Sequence, residues 1–245
     1  MIEELVKAIK KSNYLVALTG AGISTLSGIP DFRTDKSGIW ERYDQSRIFD
    51  ISYFKKHPEY FYKFAKEYIY TFTNIEPAIA HKFLARLEEI GILKSITTQN
   101  VDGLHQKAGS KKVFELHGNP FRSHCLSCKK IFSQKEIEIM LKDSDVPLCN
   151  ECSGLIKPDI IFYGEMLPED AINSSIAEVE KCDLMLVLGT SLVVYPAAYL
   201  PEIALRNGAL IAILNKQPTH LSGRAKWIID DDLAVTCSML IKYFE

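Results

Sequence analysis

Residues 20–33, Gly-Ala-Gly-Ile-Ser-Thr-Leu-Ser-Gly-Ile-Pro-Asp-Phe-Arg, combine backbone freedom with reactive side chains and point to a nucleotide-binding turn. Gly20 and Gly22 permit a sharp turn and a close approach of the backbone to a ligand. Ser24 stands where it would cap a helix whose N–H groups face a phosphate. Thr25 takes the place of the third glycine in the G-x-G-x-x-G fingerprint, which disfavours an ordinary dehydrogenase. Asp31, Phe32 and Arg33 then set an acid, an aromatic ring and a fixed cation beside the expected ligand. The plain alternative, a tight strand-to-helix turn, leaves these polar residues without a task.

A second constellation suits a metal. Cys125 and Cys128 form one C-x2-C pair and Cys149 and Cys152 another, with twenty residues between the pairs. Four thiolates at this spacing satisfy tetrahedral zinc and leave no coordination position for water or substrate, so the metal is expected to be structural. It would contribute on the order of 10 kcal/mol to folding residues 120–157. Lys129 and Lys130 would offset part of the tetrathiolate charge. Two disulfides are the competing reading, disfavoured in an intracellular setting. Cys182 and Cys237 read as core or surface thiols.

The elements that must position these groups alternate along the chain. Tyr14–Thr19 is an apolar run that reads as a buried strand feeding the glycine turn. Residues 93–98 and 113–116 read as strands, 160–163, 184–188 and 210–214 are three more short apolar runs, and 227–229 is a candidate edge strand. Helical patterns fall at 1–11, 79–90, 168–180, 196–206 and 233–243. This alternation predicts an α/β fold, a Rossmann-like doubly wound parallel sheet with ligands at the carboxyl ends of its strands. Polar clusters sit at those ends: Gly20–Arg33, Gln99–Asp102, His117-Gly118, Tyr163–Glu165, Gly189–Ser191 and Asn215. Residues 34–75, dense in Tyr and Phe, are expected to form a helical cluster packing on itself. With the cysteine segment they would make a small lobe and a cleft. The expected division is 1–33, 76–118 and 158–245 for the nucleotide domain, 34–75 for the helical insertion and 119–157 for the zinc module.

Composition limits the rest. The 245 residues, 47% of them hydrophobic, can bury one large core with a small module, and a net charge of −2 without long basic runs gives no sign of nucleic-acid binding. The apolar stretch 184–205 is long enough to span a membrane, but Gly189, Thr190, Ser191, Pro196, Pro201 and Glu202 suit a strand, loop and helix better. A cytoplasmic protein, free of membrane and nucleic acid and most simply a monomer, is the expectation.

With GAGIS (20–24), SGIPDFR (27–33), TQNVDGLH (98–105), LHGN (116–119), the two C-x2-C pairs, YGE (163–165) and GTSLVVYPA (189–197) in this order, the chain resembles the sirtuins, NAD-dependent protein lysine deacylases. The resemblance runs from about residue 12 to 217 and weakens beyond, where the loop expected to meet adenine falls within 230–235.

The resemblance implies a role for each matching residue. His117 would be the general base, taking a proton from a hydroxyl of the nicotinamide ribose, a task suited to a group titrating near neutrality. Asn100 and Asp102 would contact nicotinamide and ribose and hold the water of that pocket, with Gln99 on ribose. Gly20, Ala21, Gly22, Ile23, Thr25, Asp31, Arg33, Val101, Gly189, Thr190, Ser191, Asn215 and Lys216 would complete the NAD site, and Phe32 would shield the reacting sugar. An acetylated peptide would add as a strand between loops near 163–167 and 191–196. Ile161, Tyr163, Gly164, Glu165 and Val193 would contact it. The implied reaction transfers the acyl group of a modified lysine to ADP-ribose, releasing nicotinamide and consuming NAD.

Some departures bear on specificity. Tyr163 stands where many relatives have phenylalanine, and Ala78 replaces an asparagine. Relatives that remove succinyl groups carry Tyr-x-x-Arg where this chain has Ala65 and Tyr68, so a buried acyl carboxylate would lack its partner and uncharged acyl groups are expected. A mono-ADP-ribosyltransferase or a non-catalytic binding module would be signalled by loss of His117 or Asn100; both are present.

Overall fold

A strand buried on both faces reads as a nearly continuous apolar run, and Leu15–Thr19 is buried throughout, with its one polar side chain, Thr19, hydrogen-bonded. The computed structural model describes residues 1–30 and 39–245, so Asp31, Phe32 and Arg33 lie outside the described residues. In chain order the strands are β1 Leu15–Thr19, β2 Leu93–Thr98, β3 Val113–Glu115, β4 Gly118–Cys125, β5 Ile131–Ser133, β6 Ile156–Ile160, β7 Leu184–Leu188, β8 Leu210–Leu214 and β9 Trp227–Ile229. Six of them form one sheet in the order β3-β2-β1-β7-β8-β9, all neighbours parallel. This is the doubly wound order, and its direction reverses between β1 and β7.

The period-2 alternation of strand side chains sorts the core into two layers. Leu15 and Ala17 of β1, with Leu184, Leu186 and Leu188 of β7, face helices Ile2–Lys11, Ile79–Glu89 and Leu233–Ile241. Val16, Leu18, Met185 and Val187 face helices Glu169–Val179 and Leu200–Arg206. Cys182 and Cys237 are both core thiols. Among the described residues no helix is long and apolar enough to cross a membrane.

The two insertions share a third core. Helices Ile51–Lys56 and Pro58–Tyr68 bury Phe54, Phe61, Tyr62 and Phe64 on one another and on Phe132, Ile137, Ile156 and Phe162. Phe61 meets Tyr62 and Phe162 with ring centroids 5.3 and 5.0 Å apart. The aromatic run is thus a packing device, as its composition suggested.

One strand differs from expectation. The apolar run 160–163 predicts a strand of the main sheet, but the ladder is β6, Ile156–Ile160, in a separate antiparallel sheet of order β5-β4-β6. Beyond Ile160 the chain stays extended but pairs elsewhere: Ile161 N donates to His117 O at 2.8 Å, and Tyr163 N to Phe49 O at 2.6 Å. Apolar alternation reports which side chains are buried, not which backbone receives the hydrogen bonds. The Tyr163–Glu165 loop therefore reaches the cavity from the small lobe.

Gly118, at φ 68, pairs with Ile160, and a Cβ there would lie 1.8 Å from the Asp159 carbonyl oxygen. A clash with backbone in a left-handed conformation cannot relax locally. Gly118→Ala should therefore cost on the order of 3 kcal/mol or more. Urea unfolding of the two proteins checks this; equal midpoints would contradict the close β4–β6 approach.

Candidate functional site

At the switch point two loops touch through backbone alone. Gly22 N donates to Gly189 O at 2.8 Å. A Cβ on Gly22 would come 2.8 Å from Gly189 Cα, and one on Gly189, at φ 60, would come 2.6 Å from Ile23 N. Glycine at both places keeps the cradle open. The turn continues as two three-residue 3-10 segments, Ala21–Ile23 and Thr25–Ser27, and Ser24 makes no side-chain cap. The expected capping role of Ser24 is corrected: its buried hydroxyl donates to Asp102 Oδ2 at 2.7 Å and accepts from Asn100 Nδ2 at 3.1 Å. A carboxylate offered a hydroxyl in a dry site outcompetes an exposed helix end.

The loop after β2 carries the other polar groups. Asn100 Nδ2 also donates to Gly20 O at 3.1 Å, and Asp102 Oδ1 accepts from Leu104 N at 2.9 Å. Burial raises the Asp102 pKa, opposed by the hydrogen bonds from Leu104 and Ser24. Gln99 Nε2 donates to Thr190 Oγ1 at 2.9 Å, joining the β2 and β7 loops. The half-buried His117 places Nδ1 2.8 Å from Gln99 O. A carbonyl only accepts, so Nδ1 carries the proton and the neutral ring holds its basic lone pair on Nε2.

These loops open on one cavity of about 920 Å³. Of the residues expected to bind cofactor, it is lined by Gly20, Ala21, Gly22, Thr25, Gln99, Asn100, Val101, Asp102, His117, Gly189, Thr190, Ser191, Asn215 and Lys216. Ile161, Tyr163, Gly164 and Glu165 line it from the small lobe. Among the described residues, two expected ones do not line it. Ile23 is fully buried in the sheet core. Val193 is 62% exposed: Leu192, at φ 54, buries its own side chain, and Val194 and Tyr195 line the cavity instead.

The four expected metal ligands also meet. The sulfurs of Cys125, Cys128, Cys149 and Cys152 lie within 4.8 Å of one another, with Cys125–Cys152 at 3.5 Å and Cys128–Cys149 at 3.6 Å. These separations exceed the S–S bond of about 2.05 Å and approach the roughly 3.8 Å edge of a tetrahedral ZnS4 site. The thiolate set fits zinc, and none of the four lines the cavity. Lys130 pairs with Glu151 at 2.8 Å beside the cluster.

Residues 20–196 match the family model described as the Sir2 family. The chain belongs to the Sir2 family. It is 50% identical over 214 residues to an NAD-dependent protein deacetylase of Thermotoga maritima, covering 87% of this chain and 86% of that one. A Sir2 solved with p53 peptide and NAD+ superposes with TM-score 0.93 at 44% identity, covering 99% and 98% of the two chains. A Sir2 variant with deacetylated p53 peptide and 3'-O-acetyl ADP ribose gives TM-score 0.93 at 44% identity, with 98% and 97% covered.

Sequence reasoning missed several parts of this Sir2 cavity. Phe49 and Phe72 line it, but nothing distinguishes them among so many aromatics. Asp231, Asp232 and Leu233 close it within the stretch 230–235, where the adenine loop is expected but no single residue is singled out. Their signal was readable, since Asp232 caps helix Leu233–Ile241 by accepting from Ala234 N at 2.8 Å. His81 and His105 stand directly behind the site with ring centroids 5.0 Å apart. His81 Nε2 lies 3.4 Å from Ser24 Oγ and His105 Nε2 2.9 Å from Thr19 Oγ1.

Burial pulls the His81 pKa down to about 4 from 6.5, and that of His105 well below its ordinary value. Below pH 6.5 the unfolded chain gains a proton that folded His81 refuses until about pH 4, so stability should fall on acidification through that window. The loss from His81 reaches roughly 3 kcal/mol at the acid end. Urea unfolding of zinc-loaded protein across this range should show a flatter acid limb for His81→Gln; identical limbs would refute a neutral buried His81.

Proposed function

We propose that this protein removes acetyl groups from lysine side chains of proteins, transferring the acetyl group to ADP-ribose with release of nicotinamide. The observation that carries this reading is the placement of His117, with its Nδ1–H committed to the Gln99 carbonyl, in a cavity shared by the glycine cradle and the small-lobe loop. The solved relatives named above hold NAD+, p53 peptide and acetyl ADP ribose, the two substrates and one product of this reaction.

On this reading the cradle of Gly20, Gly22 and Gly189 admits the diphosphate, where a β-carbon would collide with backbone. Asn100 and Asp102, held by Ser24, orient the nicotinamide end with little freedom to reorganise. Nε2 of His117 accepts a ribose hydroxyl proton and so prepares the sugar oxygen to take over the acyl group. Tyr163 and Gly164 on one side and Val194 and Tyr195 on the other flank the peptide strand, whose main-chain hydrogen bonds tolerate varied sequence.

The acyl group is uncharged. Ala65 is fully buried in the small-lobe core and the Tyr68 hydroxyl accepts from Arg42, so neither reaches the cavity. Among the described lining residues Lys216, beside Asn215, is the one lysine or arginine. Zinc held by the four cysteines would brace the small lobe without entering the chemistry. From composition we further propose a cytoplasmic monomer without nucleic-acid or membrane partners, divided as 1–33, 76–118 and 158–245 against 34–75 and 119–157.

His117→Ala should lower NAD-dependent deacetylation of an acetyl-lysine peptide by roughly a hundred- to ten-thousandfold. Mass spectrometry of the peptide and calorimetry with NAD report the two effects, and NAD affinity should change only a few-fold. Turnover undiminished in the variant would remove His117 from the reaction; nicotinamide release from wild type with the peptide still acetylated would favour ADP-ribosyl transfer.

A further inference from the structure

Lys157 is a charged side chain sealed inside the fold, 2% exposed, and it does not line the cavity. An ammonium has three N–H donors, and three acceptors surround its Nζ. They are Ile160 O at 2.6 Å, the Glu165 carboxylate at 2.8 Å and Pro158 O at 3.1 Å. The Phe162 ring centroid lies 4.2 Å away, within cation–π range. Burial pulls the Lys157 pKa down and Glu165 opposes it. A buried charge is tolerated only when paired and fully hydrogen-bonded, and this one is.

All these partners belong to the stretch 158–165, which runs on from the small sheet to line the cavity. The Glu165 carboxylate that meets Lys157 also accepts from Phe162 N at 2.8 Å, closing a ring from Lys157 back to the segment. One residue after the Ile160 carbonyl that Lys157 holds, Ile161 N donates to His117 O at 2.8 Å. Two residues further on, Tyr163 is bonded on both sides, to Phe49 O at 2.6 Å and from Ile51 N at 3.2 Å.

We propose that Lys157 is a positioning residue for the deacetylation reaction: from beneath the segment Ile160–Glu165 its ammonium fixes the acyl-lysine wall of the cavity and that wall's register against His117. Glu165, which also lines the cavity, is the carboxylate arm of this clamp. The inference rests on the deacetylase reading for what the wall binds, but not for the clamp itself.

Zinc-loaded Lys157→Met, Glu165→Gln and the double variant test it by amide exchange and by steady-state kinetics. In Lys157→Met the amides of Ile161 and Tyr163 should lose roughly tenfold or more of their protection while those of β1 and β7 keep theirs. Peptide KM should rise roughly tenfold while NAD KM stays nearly unchanged. The double variant should be no worse than Lys157→Met, because both changes open one clamp. Unchanged protection, equal shifts in both KM values, or single effects that multiply in the double variant would each overturn the proposal. Should Lys157→Met fail to fold, Glu165→Gln keeps the shape and carries the same readouts at about threefold size. Wild-type protein without turnover would defeat the deacetylase reading, and the exchange measurement would still decide the clamp.

Discussion

Two backbones in contact set the terms for this fold. Where Gly22 N meets Gly189 O, the turns after β1 and β7 approach too closely for any β-carbon. That contact sits where strand order reverses, the one place in a doubly wound sheet where adjacent loops diverge and leave a crevice. The apolar strands beneath exist in this arrangement to deliver both turns to the same point. Ligand specificity then falls to side chains entering from β2, from the β3–β4 junction and from the small lobe.

The polar groups behind the crevice are buried and pair chiefly with one another. Asn100 and Asp102 are less than one-tenth exposed, and Ser24 serves both. Thr19 and Thr98 continue the network to His105. Desolvated dipoles of this kind cost stability and gain orientation, and the neutral histidines show the same trade. Lys157 repeats it in the small lobe, where one ammonium organises the segment that faces His117.

Much of this was legible in the sequence because it depends on local chemistry. Strands β1, β7 and β8 followed from apolar runs, the cysteine cluster from C-x2-C spacing, and the cradle from the Gly20–Gly22 pair. What escaped depends on partners distant in the chain. Ser24 looked like a helix cap because its contacts with Asn100 and Asp102 cannot be seen locally. The 160–163 run looked like a main-sheet strand because alternation does not name the neighbour that receives its hydrogen bonds. That Val194 and not Val193 lines the cavity follows from the left-handed turn at Leu192, which no local pattern shows. The bond from Glu165 to Lys157 escaped because nothing in the sequence announces that Lys157 is buried beneath it.

On the deacetylase reading one cavity brings an acetylated lysine to the nicotinamide ribose, where the acetyl oxygen attacks the anomeric carbon directly as nicotinamide departs and so becomes bonded to the sugar. An acetyl-lysine peptide carrying heavy oxygen in its acetyl carbonyl, incubated with NAD and the protein, tests this directly by mass spectrometry of the products. The label should appear on the ADP-ribose part of the acetylated product, with unlabelled water supplying the oxygen of the transferred acetyl group. Label recovered only in free acetate, or ADP-ribose formed without it, would contradict direct attack and with it the account of how this cavity works.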